Sequence, residues 1–146
     1  MKLNTEFITA SDKETEKTGC DLGKYLLENG KKNAFIAMYG DLGAGKTAFV
    51  RGLASFLTPS CHVCSPTYNI VNEYREGDNI LCHFDMYRIE SEDDLYSVGF
   101  YDYDNCFIAA EWCEKTPFAL PDSYVKVVIE KLENGNRKIC ITEVEG

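Results

Sequence analysis

The sequence has little positive charge, few arginines and no long apolar run. Its 146 residues include 15 Lys and Arg against 24 Asp and Glu, so the formal net charge is −9. A protein that binds a nucleic-acid backbone by itself normally presents a basic face, because its affinity comes largely from phosphate neutralisation. The acids are spread from Glu6 to Glu145, and the basic residues form no cluster. Direct binding of a nucleic acid by this chain alone is therefore not expected.

Membrane and export signals are also lacking. No apolar run approaches the length that crosses a bilayer, and the first residues lack the basic-then-apolar order of a signal peptide. Hydrophobic residues make up 45% and charged residues 27%, as in an ordinary globular protein. With no repeat, low-complexity tract or linker, the sequence predicts a single domain over residues 1–146, located in the cytoplasm.

The seven cysteines give little support for a metal site. Their number is odd and there is no secretory context, so reduced thiols are predicted. Cys61 and Cys64 have CxxC spacing, and Cys82-His83 could supply further ligands, but a zinc site normally has two compact pairs. Ordinary thiols are the favoured interpretation, with a metal or redox role of Cys61 and Cys64 as the alternative.

Apolar periodicity and turn signals predict alternating helices and strands. Ser11 and Glu14 form a capping-box pattern that opens a helix to about Asn29. Residues 33–39 are nearly all apolar, as in a strand buried on both faces, and an amphipathic helix follows up to Pro59. Further strands are predicted at 68–75, 79–85, 106–110, 124–132 and 137–144, with a short helix over 91–99. This order indicates an α/β fold, a P-loop NTPase-like mixed sheet with a parallel centre and antiparallel edge strands, flanked by helices.

The motif with the clearest chemistry is GxxxxGK[ST], which this sequence satisfies at every position. Glycines let backbone amides turn toward phosphate oxygens, and the following helix adds its positive end. Lys46 supplies a charge to the outer phosphates, and the Thr47 hydroxyl is a ligand for Mg²⁺. A glycine-rich turn that binds nothing is the alternative, but it would not need Lys followed by Thr. The motif consists of Gly40, Asp41, Leu42, Gly43, Ala44, Gly45, Lys46 and Thr47.

Two acids end predicted strands, Asp85 and Glu111. Ligands of open α/β sheets bind beyond the carboxyl ends of the strands, so both acids are expected near the phosphates. Either could hold Mg²⁺, directly or through water, and one could polarise the attacking water. A strand-end acid that only caps the next helix is the alternative for each.

Adenine is favoured as the base by elimination, because the Asn-Lys-x-Asp segment typical of guanine-specific P-loop proteins is missing. Small-molecule kinases of this size need arginine-rich lids to hold a second substrate. This chain has only four arginines, and they form no cluster. A kinase is therefore the weaker alternative.

Four segments together carry a resemblance to a known family. They are Tyr39–Thr47, Ser65-Pro66-Thr67-Tyr68, His83-Phe84-Asp85-Met86-Tyr87-Arg88 and Glu111-Trp112. In this order and spacing, over about residues 11–135, the chain resembles the TsaE (YjeE) family of tRNA threonylcarbamoyladenosine biosynthesis proteins. Ala48 and Cys113 depart from the residues common in that family.

The resemblance implies roles for particular residues. The P-loop would hold ATP, Thr47 and Glu111 would hold Mg²⁺, and Asp85 would lie beside the nucleotide and assist hydrolysis. Thr67 would sense the γ-phosphate, although Ser-Pro-Thr is also ordinary turn chemistry. Trp112 would lie at the edge of the site, with core packing as the alternative, and Asp12 aligns with a segment that touches nucleotide.

The resemblance also implies an activity and a partner. The chain is expected to be a Mg²⁺-dependent ATPase of low intrinsic turnover that cycles on a two-protein threonylcarbamoyl-transferase complex of the TsaB and TsaD type. That complex modifies the adenosine next to the anticodon. The alternatives are a free-standing kinase for a nucleoside or metabolite, and an ATP-dependent interaction switch whose hydrolysis is incidental.

Overall fold

The structure of the chain, a computed structural model, describes residues 1–31, 33–41, 44–66 and 70–146. The predictions for Leu42, Gly43 and Thr67 therefore fall outside the described residues. Within these ranges, no helix combines the length and the apolarity needed to cross a bilayer.

The described ranges contain seven strands, three α-helices and three short 3-10 turns, numbered here in chain order. The strands are β1 (Thr5–Thr9), β2 (Ala34–Tyr39), β3 (Val71–Glu76), β4 (Asn79–Asp85), β5 (Phe107–Glu111), β6 (Tyr124–Lys131) and β7 (Arg137–Val144). The helices are α1 (Asp12–Glu28), α2 (Lys46–Leu57) and α3 (Glu92–Ser97). The 3-10 turns are Phe100–Asp102, Cys113–Lys115 and Pro117–Ala119.

All seven strands join one sheet in the order β1-β7-β6-β2-β5-β4-β3. Strand β2 is central and runs parallel to both neighbours, β5 and β6, and β4 runs parallel to β5. Strands β3, β7 and β1 are antiparallel to their neighbours at the two edges. The predicted mixed sheet with a parallel centre and antiparallel edges is confirmed.

The two faces of the sheet bury two separate hydrophobic cores. Ile36 and Met38 of β2 pack with α1 and α2, whereas Phe35 and Ala37 of the same strand pack with α3 and the 3-10 turns. Successive residues of a strand point to opposite faces, so a strand covered on both sides must be apolar throughout. This explains why polar and apolar residues do not alternate along β2.

The strand prediction missed β1 and shifted several boundaries. Strand β1 pairs with β7, and Thr5 lies opposite Ile141. Because the partner strand lies at the far end of the chain, the sequence around β1 gives no local signal of this pairing. The predicted strand at 106–110 begins one residue later and includes Glu111. Helix α1 begins as expected, with Ser11 Oγ accepting a hydrogen bond from the Glu14 amide at 3.2 Å.

Helices α1 and α2 pack closely because two glycines face the contact. A Cβ added at Gly52 would lie 1.9 Å from the carbonyl oxygen of Glu16, and one added at Gly19 would lie 2.1 Å from that of Phe49. Neither space admits a carbon atom without moving a helix backbone. The two glycines therefore set the distance between the helices, and with it the position of α2 on the sheet.

Replacing Gly52 by alanine should destabilise the fold by about 1–3 kcal/mol, because the new methyl group would force the two helices apart. Equilibrium unfolding in urea would measure the change. Gly23→Ala is the matched control, since its Cβ would meet neighbours no closer than 3.5 Å. There the better helix propensity of alanine should leave stability unchanged or raise it by up to about 1 kcal/mol. Equal effects of the two changes would contradict the close-packing argument.

Candidate functional site

The glycine-rich segment connects the carboxyl end of β2 to α2, which begins at Lys46. Gly45 precedes the helix with a φ of 106°, a left-handed conformation that favours glycine. The first turn of α2 contains no acidic residue, and Gly45 provides no side-chain cap. The amides at this helix end and the positive end of its dipole can therefore receive an anion.

Lys46 is buried at this helix start, with 5% of its surface exposed. Its Nζ donates to the carbonyl oxygen of Gly40 at 2.8 Å and lies 4.0 Å from the centre of the Trp112 ring. An ammonium group is attracted to the face of an indole ring. Both of these partners are formally neutral, so neither cancels the positive charge of Lys46.

Asp85 and Glu111 end the neighbouring parallel strands β4 and β5 and are direct partners in the register. Glu111 is buried, with 7% of its surface exposed. Its Oε2 is hydrogen-bonded to Nε2 of His83, which is fully buried two residues before Asp85. The two acids thus lie side by side at the carboxyl ends of β4 and β5, as the sequence predicts. His83 supports Glu111 through its hydrogen bond.

Asp85 has a structural contact as well as a position in the site. Its Oδ1 accepts a hydrogen bond from the amide of Tyr87 at 2.9 Å, which stabilises the turn after β4. This contact is not a helix cap, because the next helix, α3, is capped by Ser91. Asp85 also lines the cavity described below, so the turn contact does not remove it from the site.

Asp12 and Arg137 form an ion pair beside the same loop. Arg137 Nη1 contacts Asp12 Oδ1, and carbon and nitrogen atoms of the Arg137 side chain lie 3.1–3.2 Å from where a Cβ of Gly45 would be. The Arg137 side chain thus lies against the loop, and glycine at position 45 leaves the room for it. Asp12 is the first residue of α1, so the pair joins α1, β7 and the loop.

A cavity of about 250 Å³ collects these side chains. It lies at the carboxyl ends of the parallel strands, where ligands of open α/β sheets bind. Its lining combines three carboxylates with three basic side chains and two hydroxyl groups. The lining residues are Asp12, Gly45, Lys46, Thr47, Ala48, Arg51, Ser65, Asp85, Glu111, Trp112 and Arg137.

The sequence of residues 9–139 matches the family model described as Threonylcarbamoyl adenosine biosynthesis protein TsaE. The chain belongs to the TsaE family.

Individual relatives agree with this assignment. The chain is 34% identical over 132 residues to the tRNA threonylcarbamoyladenosine biosynthesis protein TsaE of Rickettsia conorii, which covers 89% of this chain and 73% of that protein. It is 35% identical over 141 residues to the TsaE protein of Nostoc, covering 92% and 84%. The crystal structure of Bacillus subtilis YdiB superimposes with a TM-score of 0.76 at 26% identity, covering 97% of this chain and 86% of that one.

The structure of this TsaE-family chain brings most of the predicted site residues together. Seven of them line the cavity: Asp12, Gly45, Lys46, Thr47, Asp85, Glu111 and Trp112. Gly40, Asp41 and Ala44 lie in the loop but not in the lining, while Leu42, Gly43 and Thr67 are outside the described residues. Trp112 is half-buried and also meets Tyr87 edge to face at 5.2 Å, so it belongs to both the site and the adjoining core.

Five residues of the site were not predicted from the sequence. Four of them line the cavity, and the fifth, His83, supports Glu111. Ala48 and Arg51 follow the motif on α2, and Ser65 lies in the Ser-Pro-Thr segment, so their signal was proximity to quoted motifs. Arg137 carried no such signal, because it reaches the site from β7, which lies between β1 and β6. His83 belongs to the quoted segment 83–88, but its apolar neighbours make it read as one more residue of a buried strand.

The cysteines lie apart from this cavity. Cys64 is exposed, and Cys61 is half-buried with its Sγ 3.5 Å from the carbonyl oxygen of Arg75. Cys113 is buried, which raises the pKa of its thiol to about 12. Within the described ranges, no three His, Cys, Asp or Glu residues are grouped so that they could hold a metal ion.

Proposed function

We propose that this chain binds and hydrolyses ATP with Mg²⁺ as an accessory protein of tRNA threonylcarbamoyladenosine biosynthesis. The observation that carries the proposal is one cavity in which Lys46 and Thr47, at the start of α2, share the lining with the strand-end acids Asp85 and Glu111. Family membership supports the pathway, because relatives of this chain are named for it.

The described residues fit a bound triphosphate. The amides of the loop and of the first turn of α2 would donate to phosphate oxygens, with the loop running from Gly40 to Gly45. Lys46, which lines the cavity, would exchange its contacts with the Gly40 carbonyl and the Trp112 ring for contacts with the outer phosphates. Asp12 and Trp112 would flank the nucleotide, since both line that cavity.

The donor set also fits Mg²⁺, which prefers hydroxyl and carboxylate oxygens and keeps several waters. Thr47 and Glu111 would hold the ion, which when bound neutralises charge on the triphosphate. Asp85 is the proposed group that orients the attacking water, because it ends the adjacent strand and lines the cavity.

We expect slow intrinsic turnover of ATP, because the arginines that line the cavity are already paired with carboxylates. Two arginines line the cavity, and both are paired with carboxylates of α1: Arg51 with Glu16 at 2.8 Å and Arg137 with Asp12. A positive charge that stabilises the transition state commonly adds several powers of ten to the rate of phosphoryl transfer. With its own arginines engaged in these pairs, the chain would depend on a partner to complete the site.

The proposed partner is a two-protein threonylcarbamoyl-transferase complex of the TsaB and TsaD type. Thr67 would signal the bound γ-phosphate to that complex, and the neighbouring Ser65 lines the cavity in support of this role. An acidic accessory chain, with a net charge of −9, would avoid competing for tRNA phosphates. Hydrolysis would then reset the assembly.

Lys46→Ala should weaken binding of MgADP and MgATP about 100-fold, because charge-assisted hydrogen bonds to phosphate are lost. Isothermal calorimetry on the purified chain measures the effect. Lys115→Ala is the matched control, since Lys115 lies outside the cavity with its Nζ 4.1 Å from the Tyr87 ring centre. That variant should bind as the wild type does. A Lys46→Ala variant with wild-type affinity would refute the assignment of the phosphate site.

Glu111→Ala should lower magnesium-dependent ATP turnover more than it lowers nucleotide affinity, because the metal loses a ligand while the phosphates keep Lys46 and the amides. Steady-state hydrolysis across a magnesium titration, alongside calorimetry, separates the two effects. An unchanged magnesium dependence would contradict the metal role of Glu111.

Turnover measured with and without partners discriminates among the functional alternatives. The proposal predicts slow hydrolysis by the chain alone and faster hydrolysis when the two transferase proteins are added. A phosphorylated product from a panel of nucleosides and metabolites would instead identify a kinase. Partner binding with unchanged turnover would favour an interaction switch.

A further inference from the structure

The imidazole of His83 lies in the middle of β4 with 0% of the residue exposed. Its Nε2 is hydrogen-bonded to Oε2 of Glu111. Its Nδ1 is also buried and, in the part of the chain that the structure describes, has no hydrogen-bond partner. Burying a polar ring costs free energy unless its hydrogen bonds are made. An apolar residue would therefore serve better here if packing were the whole role of this position.

The isolated Nδ1 indicates which nitrogen of His83 carries the hydrogen. A neutral imidazole has one N–H donor and one acceptor nitrogen. With the hydrogen on Nε2, the N–H group points at the Glu111 carboxylate, and no buried donor is left unpaired. His83 therefore donates from Nε2, and Glu111 accepts.

The strand register places this hydrogen bond just below the site. In the parallel pairing of β4 and β5, His83 lies opposite Ala109, and Asp85 lies opposite Glu111. Alternate residues of a strand share a face, and Ala109 belongs to the core that α2 covers. His83, Asp85 and Glu111 thus share the α2 side of the sheet, with His83 one step farther from the cavity.

We propose that His83 is a positioning residue for Glu111. Its Nε2–H group holds Oε2 and thereby fixes the rotamer of the carboxylate, which leaves Oε1 as the oxygen that Glu111 can offer in the cavity. The inference rests on the proposed function, since that oxygen would bind the magnesium ion of the nucleotide or one of its waters. Hydrogen bonds behind a ligating carboxylate commonly change metal affinity 10- to 100-fold.

Two substitutions of His83 test this role. His83→Gln keeps an amide donor close to the place of Nε2, whereas the shorter His83→Asn carries the same polar group out of reach of Glu111. Phe84→Leu is the control for disturbing β4, because Phe84 is equally buried on the opposite face of the sheet. Thermal unfolding of each variant would establish the folded fraction before binding is measured.

The readout is ADP affinity by calorimetry with EDTA and with saturating Mg²⁺, together with the magnesium concentration that gives half-maximal ATP turnover. In His83→Asn, affinity with EDTA should stay within about twofold of wild type, while half-maximal turnover should need about tenfold more magnesium. His83→Gln should recover most of that loss, and Phe84→Leu should not show it.

The outcomes separate this inference from the proposed function. If His83→Asn and His83→Gln need the same magnesium concentration at equal folded fraction, His83 does not position Glu111. If His83→Asn loses affinity equally with EDTA and with magnesium, its role is structural, and the inference is likewise overturned. If the wild type binds no ADP under either condition, the proposed function itself fails.

Discussion

The parallel alignment of three central strands is the constraint on which the site depends. In the register, Glu111 of β5 lies opposite both Met38 of β2 and Asp85 of β4. The three strands therefore end at one level, and the loop after Tyr39 must pass beside the two acids. Parallel neighbours are joined by crossovers, so their carboxyl ends lie at the same end of the sheet. The parallel arrangement by itself therefore brings the loop and the two acids together.

Lys46 and Glu111 show how that edge is prepared for charged ligands. Both are more than nine-tenths buried, and buried opposite charges usually pair with each other. Here Lys46 is held by the Gly40 carbonyl and the Trp112 ring, whereas Glu111 is held by His83. Because the two side chains have separate partners, they do not pair with each other. Burying the two charged groups lowers the stability of the fold, and residues that lower stability are typical of functional sites.

Local signals in the sequence predicted the elements whose partners lie nearby. The capping box at Ser11, the alternation of strand and helix, and the strands predicted at 124–132 and 137–144 all correspond to the observed structure. Contacts that join distant segments were out of reach, because periodicity carries no information about them. The His83–Glu111 bond spans 28 residues, and the Asp12–Arg137 pair spans 125. The sequence thus predicted seven of the residues that line the cavity, but not the long-range contacts that hold them there.

Helix α1 links these long-range contacts to the cavity. Asp12 and Glu16 are four residues apart and share a face of α1, and from that face they pair with Arg137 and Arg51. The backbone of Glu16 also lies against Gly52, so the same turn of α1 sets the spacing to α2. The arginines beside the loop are consequently tied to the packing of the two helices. Moving either arginine toward a ligand would break one of these ion pairs. Lys46, by contrast, has no carboxylate partner among the described residues and can contact an anion without breaking an ion pair.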